Sequence, residues 1–114
     1  MLKFKTPRVQ EEWMVTYPPL RGMVLALDDY AKRVFGKRGL TVTCLSRTKE
    51  ENAAASGNPR SLHLRLPVRA ADIRIWGFTD DELRKLKDFW DLKLRLNGSF
   101  DFVIEKDHIH VEAE

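Results

Sequence analysis

The spacing of apolar residues, which changes along the chain from helical to strand-like, is the feature that most constrains its fold. Apolar residues recur at helical spacing from Leu20 to Phe35, and Gly36 follows as a C-terminal stop. Leu40 to Ser46 is rich in β-branched residues and predicts a strand, which leads into a polar loop from Arg47 to Pro59. The first half of the chain is therefore predicted to be a helix, a strand and a long loop.

The second half begins with two short segments of extended chain. Ser61 to Leu66 and Ala70 to Trp76 are predicted to be strands joined around Pro67, in the manner of a hairpin. Thr79 then opens a capping box with acidic residues in the first turn, which predicts a helix as far as Leu96.

The chain closes on extended segments, Ser99 to Glu105 and His108 to Glu112, which predict a strand pair or one bent strand. A chain of 114 residues can bury one modest core. We therefore expect residues 1–114 to form a single α+β domain with a mainly antiparallel sheet and two main helices.

Composition excludes several classes of protein. The chain is 43% hydrophobic and 32% charged, as in soluble globular proteins, and it has no apolar run long enough for a membrane span or a secretory signal. We expect synthesis in the cytoplasm without a signal peptide. The net charge of +3 comes from interleaved charges, 20 basic and 17 acidic residues, and so argues only weakly for a nucleic-acid partner.

The single cysteine, Cys44, excludes an intramolecular disulfide and a zinc ribbon with several cysteines. Strand alternation places Cys44 on the same face as Leu40 and Val42, opposite Thr41 and Leu45. This pattern predicts that Cys44 is a small core residue.

Each of the three histidines lies near a carboxylate in the sequence: His63 precedes Asp72, and His108 and His110 follow Asp107. Histidine and carboxylate are the usual ligands of a catalytic zinc, which takes three protein ligands and leaves a fourth position for water. His63, Asp72 and His110 are the predicted ligands, although a lone histidine such as His63 is more often structural. His108 is then left for chemistry.

Strand parity places His108 and His110 on one face of an extended chain. Asp107 has the opposite parity, so it can share the site only if the chain bulges or turns near Lys106 and Asp107. The aromatic residues Trp76, Phe89 and Trp90 either line a substrate groove or pack in the core, and their periodic positions favour the core.

Several of these residues occur in an order that resembles the zinc D-alanyl-D-alanine peptidases. That family includes phage L-alanyl-D-glutamate endopeptidases, and the Hedgehog signalling domain shares its fold. The resemblance extends from Arg47 to Val111 and rests on the following elements: Arg47, Ser61-x-His63, Ala70-Ala71-Asp72-Ile73 and Asp107-His108-x-His110. The chain departs from the family pattern in two features. Asp107 replaces the usual glutamate, and the spacer from Leu64 to Ala71 is longer than usual.

The resemblance implies one zinc ion per chain and a role for each matched residue. His63, Asp72 and His110 would be the zinc ligands. Arg47 would bind the substrate and steady its carbonyl, and Ser61 would also contact the substrate. Asp107 would be the general base for a metal-activated water, with His108 stabilising the tetrahedral intermediate.

The implied function is hydrolysis of a peptide bond in peptidoglycan stem peptides, by a D,D-carboxypeptidase or an L-alanyl-D-glutamate endopeptidase. Such an enzyme, if phage-derived, would act on the cell wall. One alternative is a noncatalytic, zinc-stabilised interaction domain of the same fold. Another is a basic nucleic-acid-binding domain without metal, which the absence of a clustered basic and aromatic surface disfavours.

Overall fold

The computed structural model describes residues 2–36, 39–45, 68–94 and 100–113. These residues form three helices and a mixed five-stranded sheet that is mostly antiparallel, which confirms the predicted α+β class. In chain order the elements are β1 (Lys3–Phe4), α1 (Pro7–Trp13), α2 (Pro18–Phe35), β2 (Thr41–Cys44), β3 (Ala70–Arg74), α3 (Asp80–Phe89), β4 (Phe100–Ile104) and β5 (His108–Ala113). No helix in these ranges is both long and apolar enough to cross a membrane.

The first predicted helix is confirmed as α2, which ends where expected. Gly36 adopts a left-handed conformation with φ 64°, and its N–H donates to the carbonyl of Lys32. The short helix α1 was not predicted. Its start is nevertheless encoded locally, because the Thr6 hydroxyl accepts from the Val9 N–H and Pro7 occupies the first helical position.

Helix α3 confirms the capping box. The Thr79 hydroxyl accepts from the Glu82 N–H, and the Glu82 carboxylate accepts from the Thr79 N–H. After Phe89 the chain continues as a π-helical turn, Trp90–Leu94, and the predicted end at Leu96 lies outside the described residues.

The three aromatic residues that could line a groove have separate positions. Trp90 is fully buried, and its indole N–H donates to the carbonyl of Phe100 at 3.2 Å. Phe89 packs against the core at partial burial. The core prediction is confirmed for these two residues but is wrong for Trp76, which is 74% exposed because it lies in the turn after β3.

The strand order in the sheet is β1-β2-β3-β5-β4, with β1 and β2 parallel and the other neighbours antiparallel. The last two strands form the predicted strand pair. Strand β3 lies in the centre between β2 and β5, whereas Ser61 to Leu66, its expected hairpin partner, lies outside the described residues. The sheet thus joins β3 to the C-terminal strand.

The central strands have one apolar face and one polar face. Ala71 and Ile73 of β3, with Ile109 and Val111 of β5, are fully buried in the hydrophobic core. Alternation turns Asp72, Arg74, His108 and His110 to the opposite face. Polar side chains from two neighbouring strands therefore gather on one surface of the sheet.

Cys44 does not follow the predicted alternation. The pairing of β2 with β3 shifts register between Val42 and Cys44, so that Cys44 pairs with Asp72 and is half-buried. Leu45, predicted to face away from the core, is fully buried instead. The prediction of a core cysteine is therefore wrong.

Candidate metal centre

Asp72, His108 and His110 meet on the polar face of the β3–β5 pair. Asp72 lies directly opposite His110 in the ladder, and its Oδ1 is 2.9 Å from His110 Nδ1. His108, two residues earlier on the same face as predicted, places Nε2 at 3.5 Å from the same oxygen. One ligand atom from each residue lies within 4.8 Å of the other two, an arrangement able to hold a metal ion.

Two of the three distances between these atoms can be compared with the distances in a tetrahedral zinc site. Tetrahedral zinc with bonds of about 2.0–2.1 Å holds its ligand atoms about 3.3 Å apart. The distances from Asp72 Oδ1, 2.9 Å to one histidine and 3.5 Å to the other, lie on either side of that value. The third distance, between the ligand nitrogens of the two histidines, is no more than 4.8 Å.

A second carboxylate faces the outer nitrogen of each imidazole. His108 Nδ1 is 2.6 Å from Asp107 Oδ1, and His110 Nε2 is 3.6 Å from Glu112 Oε1. Histidine ligands of metals usually have their second nitrogen held by a carboxylate or a carbonyl, which fixes the ring orientation. Asp107 orients the His108 ring in this way, while Glu112 lies near His110 as a charge and not as a hydrogen-bond partner.

The turn before β5 gives Asp107 access to the site. The chain bends at Lys106 and Asp107, as predicted, and the Glu105 N–H donates to the carbonyl of His108 at 2.8 Å. The Asp107 side chain is 79% exposed, and its hydrogen bond with His108 lowers the pKa of the carboxyl group below the ordinary 3.8. Its contact is with the nitrogen of His108 that points away from Asp72.

Burial and charge act in opposite directions on His110. Burial lowers the pKa of the imidazole, but the hydrogen bond and charge of Asp72, together with the charges of Glu112 and Glu105, raise it. The net pKa lies above the ordinary value of 6.5. Because Asp72 is buried, a positive charge on His110 or a bound cation would stabilise its carboxylate.

Glu105 is a candidate site residue that the sequence analysis missed. Its Oε2 lies 3.8 Å from His108 Nε2, the nitrogen that faces Asp72. The sequence assigned Glu105 to the end of a strand, and only the turn that follows brings its carboxylate back over His108. The available signal was an acidic residue three positions before a candidate histidine.

An open groove of about 620 Å³ lies beside the cluster. Asp72 and His108 line it together with Glu105 and Asp107 from the β4–β5 turn. Other lining residues come from the opposite edge of the site: Lys5, Thr43, Cys44, Arg74 and Trp76. A molecule in this groove would reach Asp72 and His108 directly, whereas His110 does not line it.

Three predicted site residues, Arg47, Ser61 and His63, lie outside the described residues. Their roles therefore stay predictions. Comparison of the chain with models of known protein families, with curated proteins and with solved structures gives no match. The resemblance to the zinc peptidases accordingly rests on the spaced residues alone.

Proposed function

We propose that this protein is a zinc-dependent peptidase that hydrolyses a peptide bond in peptidoglycan stem peptides. The observation that supports a metal centre is the cluster around Asp72. One nitrogen of His108 and one nitrogen of His110 lie close to the Asp72 carboxylate. The substrate class, D,D-carboxypeptidase or L-alanyl-D-glutamate endopeptidase, comes from the motif resemblance.

Asp72 and His110 are proposed to hold one zinc ion per chain. The resemblance assigns His63 as the third ligand, whereas the contacts of the described residues offer His108. When bound with an open position, zinc lowers the pKa of water to about 7 and polarises a carbonyl. Substitution of each histidine separates the two assignments.

A carboxylate must take the proton of the attacking water and pass it to the leaving amine. Asp107 has this role by resemblance, but its nearest contact is with the outer nitrogen of His108. Glu105 lies nearer the nitrogen that faces Asp72, so the geometry favours Glu105 as the base and Asp107 as the residue that orients His108. Arg47 and Ser61 complete the proposal as substrate-binding residues.

Release of D-alanine or of peptides from purified peptidoglycan by the zinc-loaded chain tests this function. We expect Glu105→Gln to lower the turnover rate by roughly 10²–10⁴-fold, as loss of a general base does, while zinc stays bound. Asp107→Asn is the matched variant, because it also neutralises one carboxylate of the same turn.

A smaller loss in Asp107→Asn than in Glu105→Gln is the expected result. A larger loss in Asp107→Asn than in Glu105→Gln would indicate that Asp107 is the general base. If a zinc-loaded wild type released neither D-alanine nor peptides from walls of several stem-peptide types, that result would contradict a peptidase function.

A noncatalytic zinc domain is the second candidate function. The position of His108 favours it if His108 is a fourth protein ligand. If both His63 and His108 bind the ion together with Asp72 and His110, the site has four protein ligands. Closed sites of that kind are structural, since no position remains for water. Equal loss of zinc in His63→Ala and His108→Ala, with neither D-alanine nor peptides released by the wild type, would indicate this alternative.

A further inference from the structure

The groove beside the candidate metal centre is basic where β1 and β3 border it. Lys5, just after β1, and Arg74, at the end of β3, line the groove across from the acidic β4–β5 turn. A second hollow of about 390 Å³ adjoins it, lined in part by Lys3, and shares Arg74 and Trp76 with the groove. Arg74 and Trp76 thus stand at the boundary of the two hollows.

Several basic residues on the helices are paired within their own helix. Lys32 and Arg33 of α2 and Arg84 of α3 each pair with a carboxylate on the same helix. Within the described ranges, no carboxylate lies at ion-pair distance from Lys5 or Arg74. Both of these cations line the groove.

Arg74 is held by an aromatic side chain. Its guanidinium carbon lies 4.5 Å from the centre of the Trp76 ring, and Trp76 is 74% exposed. Stacking on an aromatic face uses the flat side of a guanidinium and leaves the N–H groups at its edge for hydrogen bonds. That edge matches the two oxygens of a carboxylate.

The register of the sheet sets the distance from Arg74 to the metal ligands. Arg74 lies opposite His108, and Asp72 lies opposite His110, one step along the same face. Residues two apart in a strand are about 7 Å apart, and an extended peptide advances at most about 3.6 Å per residue. A peptide whose carbonyl sits at Asp72 and His110 would reach Arg74 with its next or second residue.

We propose that Arg74, stacked on Trp76, binds a carboxylate of the substrate one or two residues from the scissile bond. Lys5 adds positive charge to this subsite. The inference rests on the proposed peptidase function and deepens it, because it assigns an acidic substrate. In stem peptides the carboxylate would belong either to the C-terminal residue or to a γ-linked D-glutamate.

Binding of short peptides to the zinc-loaded full chain tests the subsite without requiring turnover. The first probe pair is acetyl-D-alanyl-D-alanine and its C-terminal amide. The second pair is acetyl-L-alanyl-D-glutamate whose γ-carboxyl is capped as an amide. Its α-carboxyl is free in one peptide of the pair and amidated in the other. The indole N–H resonance of Trp76, assigned with Trp76→Phe, reports the dissociation constant of each peptide.

We expect the acid form of at least one pair to bind roughly tenfold or more tightly than its amide, as hydrogen bonds to a charged group require. Arg74→Gln should abolish that preference with zinc still bound, and Arg74→Lys should restore part of it. Arg84→Gln removes the same charge from the exposed surface of α3 and should leave the preference unchanged.

The outcomes separate the subsite from the peptidase function. A preference for the acid that depends on Arg74, in a chain that releases nothing from purified peptidoglycan, supports the subsite and contradicts the peptidase proposal. Hydrolysis of acid and amide peptides alike, with equal binding, overturns the subsite alone. Absence of binding by all four peptides, or a preference that survives Arg74→Gln, also overturns it.

Discussion

Asp72 is the residue that the two imidazoles of the candidate metal centre share. Its carboxylate is buried, yet both nearby imidazoles turn a nitrogen towards it. A buried carboxylate is costly unless a positive charge or hydrogen bonds compensate it. A proton on His110 and a bound zinc ion are competing ways to supply that compensation.

Competition between proton and zinc predicts opposite effects of pH on the two forms of the protein. The folded pKa of His110 is raised, so its contribution to the stability of the metal-free protein is complete below the unfolded value of about 6.5. This contribution is lost as pH rises through the folded pKa. Zinc requires the neutral ring, so stabilisation by zinc should grow over the same interval.

Melting temperatures with and without zinc, measured between about pH 5.5 and pH 8, check this prediction. The increase caused by zinc should be larger at the higher pH in the wild type. His110→Ala should show little increase at any pH. An increase that is independent of pH in the wild type would contradict a role for His110 as ligand.

At the scale of elements, features set by residues close in sequence could be predicted, whereas features set by contacts between distant residues could not. The capping box of α3 and the glycine that ends α2 are local signals, and both were confirmed. Strand parity likewise placed His108 and His110 on one face. The register shift that displaces Cys44, and the pairing of Asp72 with His110, depend on contacts between distant strands that no local pattern encodes.

A buried carboxylate also connects α2 to the start of β2. Asp28 Oδ1 accepts from the Leu40 N–H at 2.6 Å, and Lys32 lies 2.9 Å from Oδ2. Asp28→Ala would leave a buried N–H without its partner, so we expect a loss of about 1–3 kcal/mol in the free energy of unfolding. Urea denaturation measures this loss.

Asp29→Ala is the matched control for that variant. Asp29 is exposed and pairs across one helical turn with Arg33, at 2.7 Å. Such pairs contribute about 0.3–0.5 kcal/mol. Equal destabilisation by the two substitutions would mean that the hydrogen bond from Leu40 does not stabilise the connection between α2 and β2.

At the scale of the whole molecule, the hydrophobic core and the candidate metal centre lie on opposite faces of the sheet. Its inner face belongs to a core built around residues such as Trp90 and Ile109, while its outer face holds the candidate metal ligands. Substitutions on the outer face can therefore remove metal without removing the core. Zinc that binds only the folded chain should in turn raise the stability of the whole domain.

The most direct test of the account is the zinc content of the purified chain, measured by mass spectrometry without chelators or a histidine tag. The wild type should contain about one zinc per chain. Asp72→Ala and His110→Ala should lose it while remaining folded, and His63→Ala and His108→Ala should identify the third ligand. A folded wild type that stays free of metal after incubation with zinc would contradict the metal centre and the peptidase function built on it.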